Sequence, residues 1–118
     1  MYALRDMGVN YFYGAYVPKD LKKAAEYFKL AQAQGSSDSE YLLGMLYIGN
    51  YKEIKHDTRS AYELFQSAAK KGNLLAEYVL TDYFNHFEMK KLNLPYDPKE
   101  KFSRYLRIID EVYRRNDA

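Results

Sequence analysis

The sequence contains no cysteine and no tryptophan, and it has no long uninterrupted hydrophobic run. The absence of cysteine excludes a disulfide framework, thiolate metal sites and cysteine redox chemistry. No stretch approaches the roughly 18 consecutive apolar residues of a membrane span, and the N-terminus lacks the pattern of a secretory signal peptide. We therefore expect a soluble chain, and its lack of cysteine is compatible with a cytoplasmic location.

The net charge of the chain does not indicate a polyanionic partner. The 118 residues carry a formal net charge of +2 and a sequence pI of about 8.6. This value is below the pI of about 9 that marks nucleic-acid-binding domains. We therefore expect the chain to bind neither nucleic acid nor a membrane.

The apolar content is sufficient for one compact domain and is unusually aromatic. Hydrophobic residues make up 47% of the chain, with 14 tyrosines and 6 phenylalanines among them. A chain of this length and composition can order itself without disulfides or metals. Aromatic side chains are accordingly expected to dominate the packing.

The chain repeats itself with a period of 36 or 37 residues. The matching pairs in the first two copies are Gly8 and Gly44, Tyr11 and Tyr47, Asp20 and Asp57, Ala24 and Ala61, Phe28 and Phe65, and Gly35 and Gly72. A third, degraded copy follows, with Thr81 at the position of Gly44. The single domain, 1–118, therefore divides into repeat 1 at about 1–36, repeat 2 at about 37–73, and a degenerate repeat 3 with a capping helix at about 74–118.

Each copy is predicted to form two helices, A and B, because its apolar residues follow helical spacing. The sequence also supplies the end signals of helices: N-caps at Asp20, Asp57 and Asp97, a capping box of Ser37 with Glu40, Pro98 in a first turn, and terminating Gly35 and Gly72. Helices are expected near residues 2–14, 20–34, 38–49, 57–71, 74–89 and 97–115. The last helix has an apolar stripe formed by Phe102, Tyr105, Leu106, Ile109, Val112 and Tyr113.

The recurring pattern L-G-x-x-Y-x-x-G, a loop, and D-x-x-K-A-x-x-Y/F-F-x-x-A-A-x-x-x-G resembles the Sel-1-like repeat (SLR), a relative of the tetratricopeptide repeat. The first copy matches nearly throughout. The second has Gly49 one position early and Ser60 in place of lysine, and the third keeps only its A helix. The resemblance implies an all-α fold, a right-handed superhelical solenoid of three helix pairs with A helices on the concave side. It also implies a non-enzymatic scaffold or adaptor for other proteins.

The A-helix positions that point away from the predicted core define a candidate partner-binding face. Its nine members are Arg5, Val9, Phe12, Tyr41, Met45, Ile48, Tyr78, Asp82 and Asn85. Tyrosine, arginine and methionine are enriched at protein interfaces because they bury much area. We predict that this face binds a peptide, loop or helix of a partner protein; the alternative for any single member is packing against a neighbouring helix.

Two weaker patterns point to catalysis. Ser67 and Lys70 have the S-x-x-K spacing of penicillin-recognising serine enzymes, but no Lys-Thr-Gly follows, and the chain lacks the cysteines of the family members described as penicillin-binding. His56 and His86 would need nearby carboxylates, such as Asp57, Asp82 or Glu88, to hold a metal or transfer protons. They lie in separate repeats, so we expect no catalytic residue, metal or cofactor.

Two further alternatives remain open at this stage. Basic and aromatic residues of the last helix could bind RNA or an acidic partner. These residues are Arg104, Arg107, Arg114, Arg115, Tyr105 and Tyr113. The favoured interpretation is a solvated helix face. With only three helix pairs, the array could also continue in a homo-oligomer or belong to a longer repeat protein, which would give the chain a purely structural role.

Overall fold

The computed structural model describes residues 2–116, and within that range every regular element is an α-helix. The helices are α1 (Tyr2–Tyr13), α2 (Leu21–Ala33), α3 (Ser37–Ile48), α4 (Thr58–Lys70), α5 (Leu74–Asp82), α6 (His86–Lys91) and α7 (Pro98–Asn116). Helices α1 to α5 pack in chain order, each against the next, and α7 packs against α5. This stacking forms a flat solenoid with extents of 44 × 40 × 21 Å.

The third A helix is shorter than predicted. The prediction of a single helix at 74–89 was wrong, because α5 ends at Asp82 and a separate α6 begins at His86. Asn85 is the N-cap of α6, and its side-chain oxygen accepts a hydrogen bond from the Glu88 N–H at 3.1 Å. Asparagine favours this non-helical capping geometry over a helix interior, so the chain breaks there.

Aspartate caps begin α2 and α4 as predicted. The carboxylate of Asp20 accepts from the Lys23 N–H, and that of Asp57 accepts from the Ser60 N–H. The cap of α3 lies one residue earlier than predicted, because the hydroxyl of Ser36 accepts from the Ser39 N–H. Ser37 is instead the first helical residue.

The B helices end at glycines that adopt left-handed backbone geometry. Gly35 has a φ of 91° and Gly72 a φ of 90°, each one residue after the helix C-cap. A residue with a Cβ is strained in this region, so glycine is the favoured residue there. These turns reverse the chain and send it into the next A helix.

The core consists of two hydrophobic clusters that lie in series. Cluster 1 surrounds Phe28 and Leu46, and cluster 2 surrounds Phe65 and Phe84. In both repeats a glycine of helix A lies against the phenylalanine of helix B. A Cβ on Gly8 would lie 2.5 Å from Cε1 of Phe28, and one on Gly44 would lie 2.8 Å from Cε1 of Phe65. Glycine therefore allows the phenylalanine ring to lie directly against the A-helix backbone.

Repeat 3 lacks this glycine contact. Thr81 occupies the glycine position and is buried, with its hydroxyl donating to the Glu77 carbonyl oxygen at 2.9 Å. Phe65 and Tyr105 each stand eight residues after the aspartate that precedes their helix. The Tyr105 ring, however, lies beside Tyr78, with centroids 6.4 Å apart. Helix α7 consequently packs on α5 less extensively than α4 packs on α3.

Within residues 2–116, no helix combines the length and the apolar character that crossing a membrane would require.

The glycine contact can be tested with Gly44→Ala. We expect this change to lower the free energy of unfolding by about 1–2 kcal/mol, because the overlap with Phe65 outweighs the gain of roughly 1 kcal/mol in helix propensity. Urea unfolding followed by circular dichroism measures the change. The double variant Gly44→Ala/Phe65→Leu should lose less stability than the two single variants added together, since the smaller side chain relieves the overlap. Strict additivity would contradict the contact.

Candidate functional site

Five aliphatic or aromatic members of the predicted binding face are half-buried. Their side chains pack against the two core clusters with part of their surface and leave the rest accessible. Val9 and Phe12 lie on cluster 1, and Tyr41, Met45 and Ile48 lie on cluster 2. Each of these side chains therefore contributes to the core as well as to the outer surface of the A helices.

Arg5 connects α1 to α3. One guanidinium nitrogen donates to the Asp38 carboxylate at 2.8 Å, and another donates to Asp6 at 3.1 Å. The carboxylates neutralise the arginine charge at this end of the face. A partner that binds here would meet a paired guanidinium.

Tyr41 occupies the middle of the face. Its ring centroid lies 6.0 Å from that of Phe65, at a tilt of 57°. Burial raises the pKa of the Tyr41 hydroxyl above its ordinary value, with a smaller contribution from Tyr13. The phenol therefore stays neutral and offers a hydroxyl at the edge of an otherwise apolar surface.

The most accessible part of the face lies on α5, where it meets α7. Tyr78 is 48% exposed, and its ring centroid lies 6.4 Å from that of Tyr105. The Tyr105 hydroxyl donates to the Asp82 carboxylate at 3.2 Å. Desolvation, followed by the interaction with Asp82, raises the pKa of Tyr105. Asn85, the ninth predicted member, is engaged in capping α6.

Tyr105 is absent from the predicted face although it completes this aromatic group. Besides its place in the apolar stripe of the last helix, Tyr105 has one positional signal, since its position after Asp97 matches that of Phe65 after Asp57. That signal predicts a core residue. The structure instead places Tyr105 beside Tyr78, because α7 does not approach α5 as closely as a regular B helix would.

The arginines of α7 all take part in ion pairs. The pairs are Arg104 with Glu100 at 3.0 Å, Arg107 with Glu77, Arg114 with Asp110 at 2.9 Å, and Arg115 with Glu111 at 3.5 Å. Binding of a nucleic-acid backbone depends on cations that can replace its counterions. Carboxylates pair with these four arginines and reduce the positive charge that they would present to a nucleic-acid backbone.

Ser67 and Lys70 face different grooves. Ser67 is half-buried and lines a groove with Gln32 and Leu43, whereas Lys70 is exposed and lines a groove with Glu77 and Arg107. An activating lysine must point at the serine hydroxyl to accept its proton. The S-x-x-K spacing is thus not accompanied by a shared cavity.

The two histidines have local structural partners. Nε2 of His56 lies 2.9 Å from the Thr58 hydroxyl, and the His86 ring stacks on Tyr96 with centroids 5.3 Å apart. Asp57, next to His56, is engaged in capping α4. In the part of the chain that the structure describes, no group of three or more histidines and carboxylates could hold a metal ion.

Helix pairs that stack in chain order around repeated glycine–phenylalanine contacts define an α-solenoid of short repeats. Comparison with family models identifies the repeat: the Sel1 repeat model matches residues 2–36 and 37–73. The chain belongs to the Sel1 repeat family. Repeats of this family generally serve as protein–protein interaction modules.

Solved structures of this family share the fold. A Sel1 repeat protein from Oxalobacter formigenes matches 92% of this chain with a TM-score of 0.79 and 22% sequence identity. A protective antigen present in uropathogenic Escherichia coli strains, which displays an SLR fold, matches 97% of it with a TM-score of 0.73 and 19% identity. The chain spans 42% and 22% of the length of those two proteins.

The role of Asp57 as a cap gives a pH-dependent prediction. Hydrogen bonds from the Ser60 hydroxyl and backbone N–H hold the pKa of Asp57 below its ordinary value. Its ionised form therefore stabilises the fold above the unfolded-state pKa of about 3.9, and this stabilisation is lost as the pH falls through the lower folded-state pKa. We expect Asp57→Ala to cost about 0.5–2 kcal/mol at neutral pH and progressively less in acid.

Denaturant unfolding at about pH 7 and about pH 3 measures this dependence. Asp57→Asn is the matched control, because asparagine retains a capping oxygen without the titrating charge. Its cost should be smaller than that of alanine at neutral pH. If Asp57→Ala lowered the free energy of unfolding equally at both pH values, the ionised carboxylate would not be the source of the stabilisation.

Proposed function

We propose that this chain is a non-enzymatic adaptor module that binds a peptide, loop or helix of another protein on its A-helix face. That face comprises the exposed surfaces of α1, α3 and α5. The observation that carries the proposal is the group of Tyr78, Asp82 and Tyr105 at its most accessible end. The proposal requires no cofactor or metal.

The chemistry of this group is suited to anchoring a partner. Tyrosine offers a large apolar area with few rotatable bonds, and it is among the residues that contribute most to binding energy at interfaces. The Tyr105 hydroxyl already donates to Asp82, so Tyr105 is partly ordered before any partner arrives. Less entropy is then lost on binding.

The neighbouring repeat extends the same surface. Tyr41 and Met45 are half-buried, so a partner would complete their burial at little additional conformational cost. Asp82 supplies an exposed carboxylate at one side. We therefore expect a bound segment to place an apolar or aromatic side chain on Tyr78 and a donor, such as lysine or arginine, near Asp82.

Substitution of Tyr78 tests the proposal. We expect Tyr78→Ala to weaken partner binding by about tenfold to thirtyfold, which corresponds to roughly 1.4–2 kcal/mol, because an exposed aromatic anchor is lost. The partner is first identified by affinity capture with quantitative mass spectrometry, and its affinity is then measured by calorimetry. Helicity should stay unchanged.

The matched control is Tyr16→Ala, which removes an almost fully exposed tyrosine from the loop between α1 and α2. It should leave the affinity unchanged. If Tyr78→Ala and Tyr16→Ala retain the partner equally well, the A-helix face is not the binding surface.

The competing hydrolase function centred on Ser67 and Lys70 has its own test. We expect a fluorescent penicillin to leave the native chain unlabelled, because the serine and the lysine line separate grooves. Labelling that persists through denaturation and disappears in Ser67→Ala would replace the adaptor proposal with an acyl-enzyme mechanism.

A further inference from the structure

The outer side of α7 carries an uncovered apolar stripe. Phe102, Leu106, Ile109 and Tyr113 are between 52% and 71% exposed, whereas Ile108 is buried between α7 and the rest of the protein. The preceding B helices differ, because α2 packs on α3 and α4 packs on α5. Contiguous exposed apolar patches of this kind mark interaction sites.

The stripe is symmetric about its midpoint. Its residues read aromatic, aliphatic, aliphatic, aromatic, at successive spacings of four, three and four residues. Alternating spacings of four and three are the pattern of a helix-pairing seam. Turned through a twofold axis, an identical helix would place Tyr113 opposite Phe102 and Ile109 opposite Leu106. Such self-complementarity is what an isologous interface requires.

The N-terminal side of the protein does not fit the same stripe. In the interior repeats, the residues that meet the preceding repeat are apolar: Leu42, Leu43 and Leu46 in α3, Val79 in α5, and Tyr83 directly after α5. The α1 equivalent of Leu43 is Met7, but those of Leu42 and Leu46 are the polar Asp6 and Asn10. Burying these polar groups against an apolar stripe would cost free energy, so head-to-tail stacking of copies is disfavoured.

We propose that two copies of this chain associate through their α7 helices, antiparallel and related by a twofold axis, with the Phe102–Tyr113 stripe as the interface. The α7 arginines are already paired with carboxylates of their own chain, so the interface brings no unpaired arginine together with its copy.

The size of the stripe indicates a weak dimer. An aromatic side chain buries about 150–250 Å², so the stripe, with its two aromatic and two aliphatic residues, would bury on the order of 500 Å² of surface per copy. Two copies thus bury about 1,000 Å², which is near the lower limit for a specific interface. We expect a dissociation constant in the micromolar range. This dimer is independent of the proposed adaptor function, and Tyr78→Ala should leave it intact.

Sedimentation equilibrium over a range of concentrations tests the dimer. The native chain should shift from monomer to dimer as its concentration rises, and Leu106→Glu should weaken this association at least a hundredfold because two charges would enter the seam. Leu30→Glu is the matched control, since Leu30 in α2 is 53% exposed and Leu106 is 54% exposed. It should associate like the native chain.

Cysteine cross-linking tests the orientation without background, because the native sequence has no cysteine. Phe102→Cys mixed with Tyr113→Cys should form a disulfide between the two variants under mild oxidation. Neither variant alone should do so, since eleven residues at 1.5 Å rise place like positions about 16 Å apart, beyond disulfide reach.

Four results would overturn the proposal. A native chain that stays monomeric at millimolar concentration has no self-interface. Growth beyond the dimer indicates head-to-tail stacking, and efficient disulfide formation by Phe102→Cys alone indicates a parallel pair. Equal weakening of association by Leu106→Glu and Leu30→Glu would also exclude the stripe as the interface.

Discussion

The close contact between a glycine of helix A and a phenylalanine of helix B is the constraint on which the rest of the structure depends. Because Gly8 and Gly44 present no Cβ, the rings of Phe28 and Phe65 lie directly on the A-helix backbone and are fully buried. Close pairing within each repeat leaves the far side of each B helix free to pack on the next A helix. The two core clusters are thereby built in series.

Repeat 3 lacks this contact, and both proposed surfaces involve its helices α5 and α7. Thr81 stands where the other repeats have glycine, and α7 packs on α5 less extensively than α4 packs on α3. Tyr105 consequently joins Tyr78 and Asp82 at the edge of α5. The same helix carries its apolar stripe on the side that faces solvent. Repeat 3 therefore combines a changed A–B packing, which leaves an aromatic group exposed, with an outer face of α7 that is uncovered within residues 2–116.

Sequence patterns predicted the features that depend on local chemistry. The repeat phase, the Asp20 and Asp57 caps and the helix-ending glycines follow from short-range preferences that tertiary packing did not override. The helix break before His86 was not predicted from the sequence, because asparagine occurs both within helices and at their caps. The amphipathic pattern of α7 was also visible, but periodicity alone does not specify which apolar residues turn inward. Here Ile108 faces the core and Phe102 faces solvent.

The two proposed surfaces lie on different elements, and this separation has a consequence for binding. A dimer formed through α7 would hold two A-helix faces at a fixed separation, because the helices that carry them are packed against α7 or its neighbours. A partner with two copies of its binding segment could then engage both faces, and the second contact would form at a high effective concentration. Weak individual contacts, such as a tyrosine anchor and a micromolar helix seam, would thereby combine into a stable assembly. On this proposal, α7 of the degenerate third repeat would provide a route from a small repeat array to a bivalent adaptor.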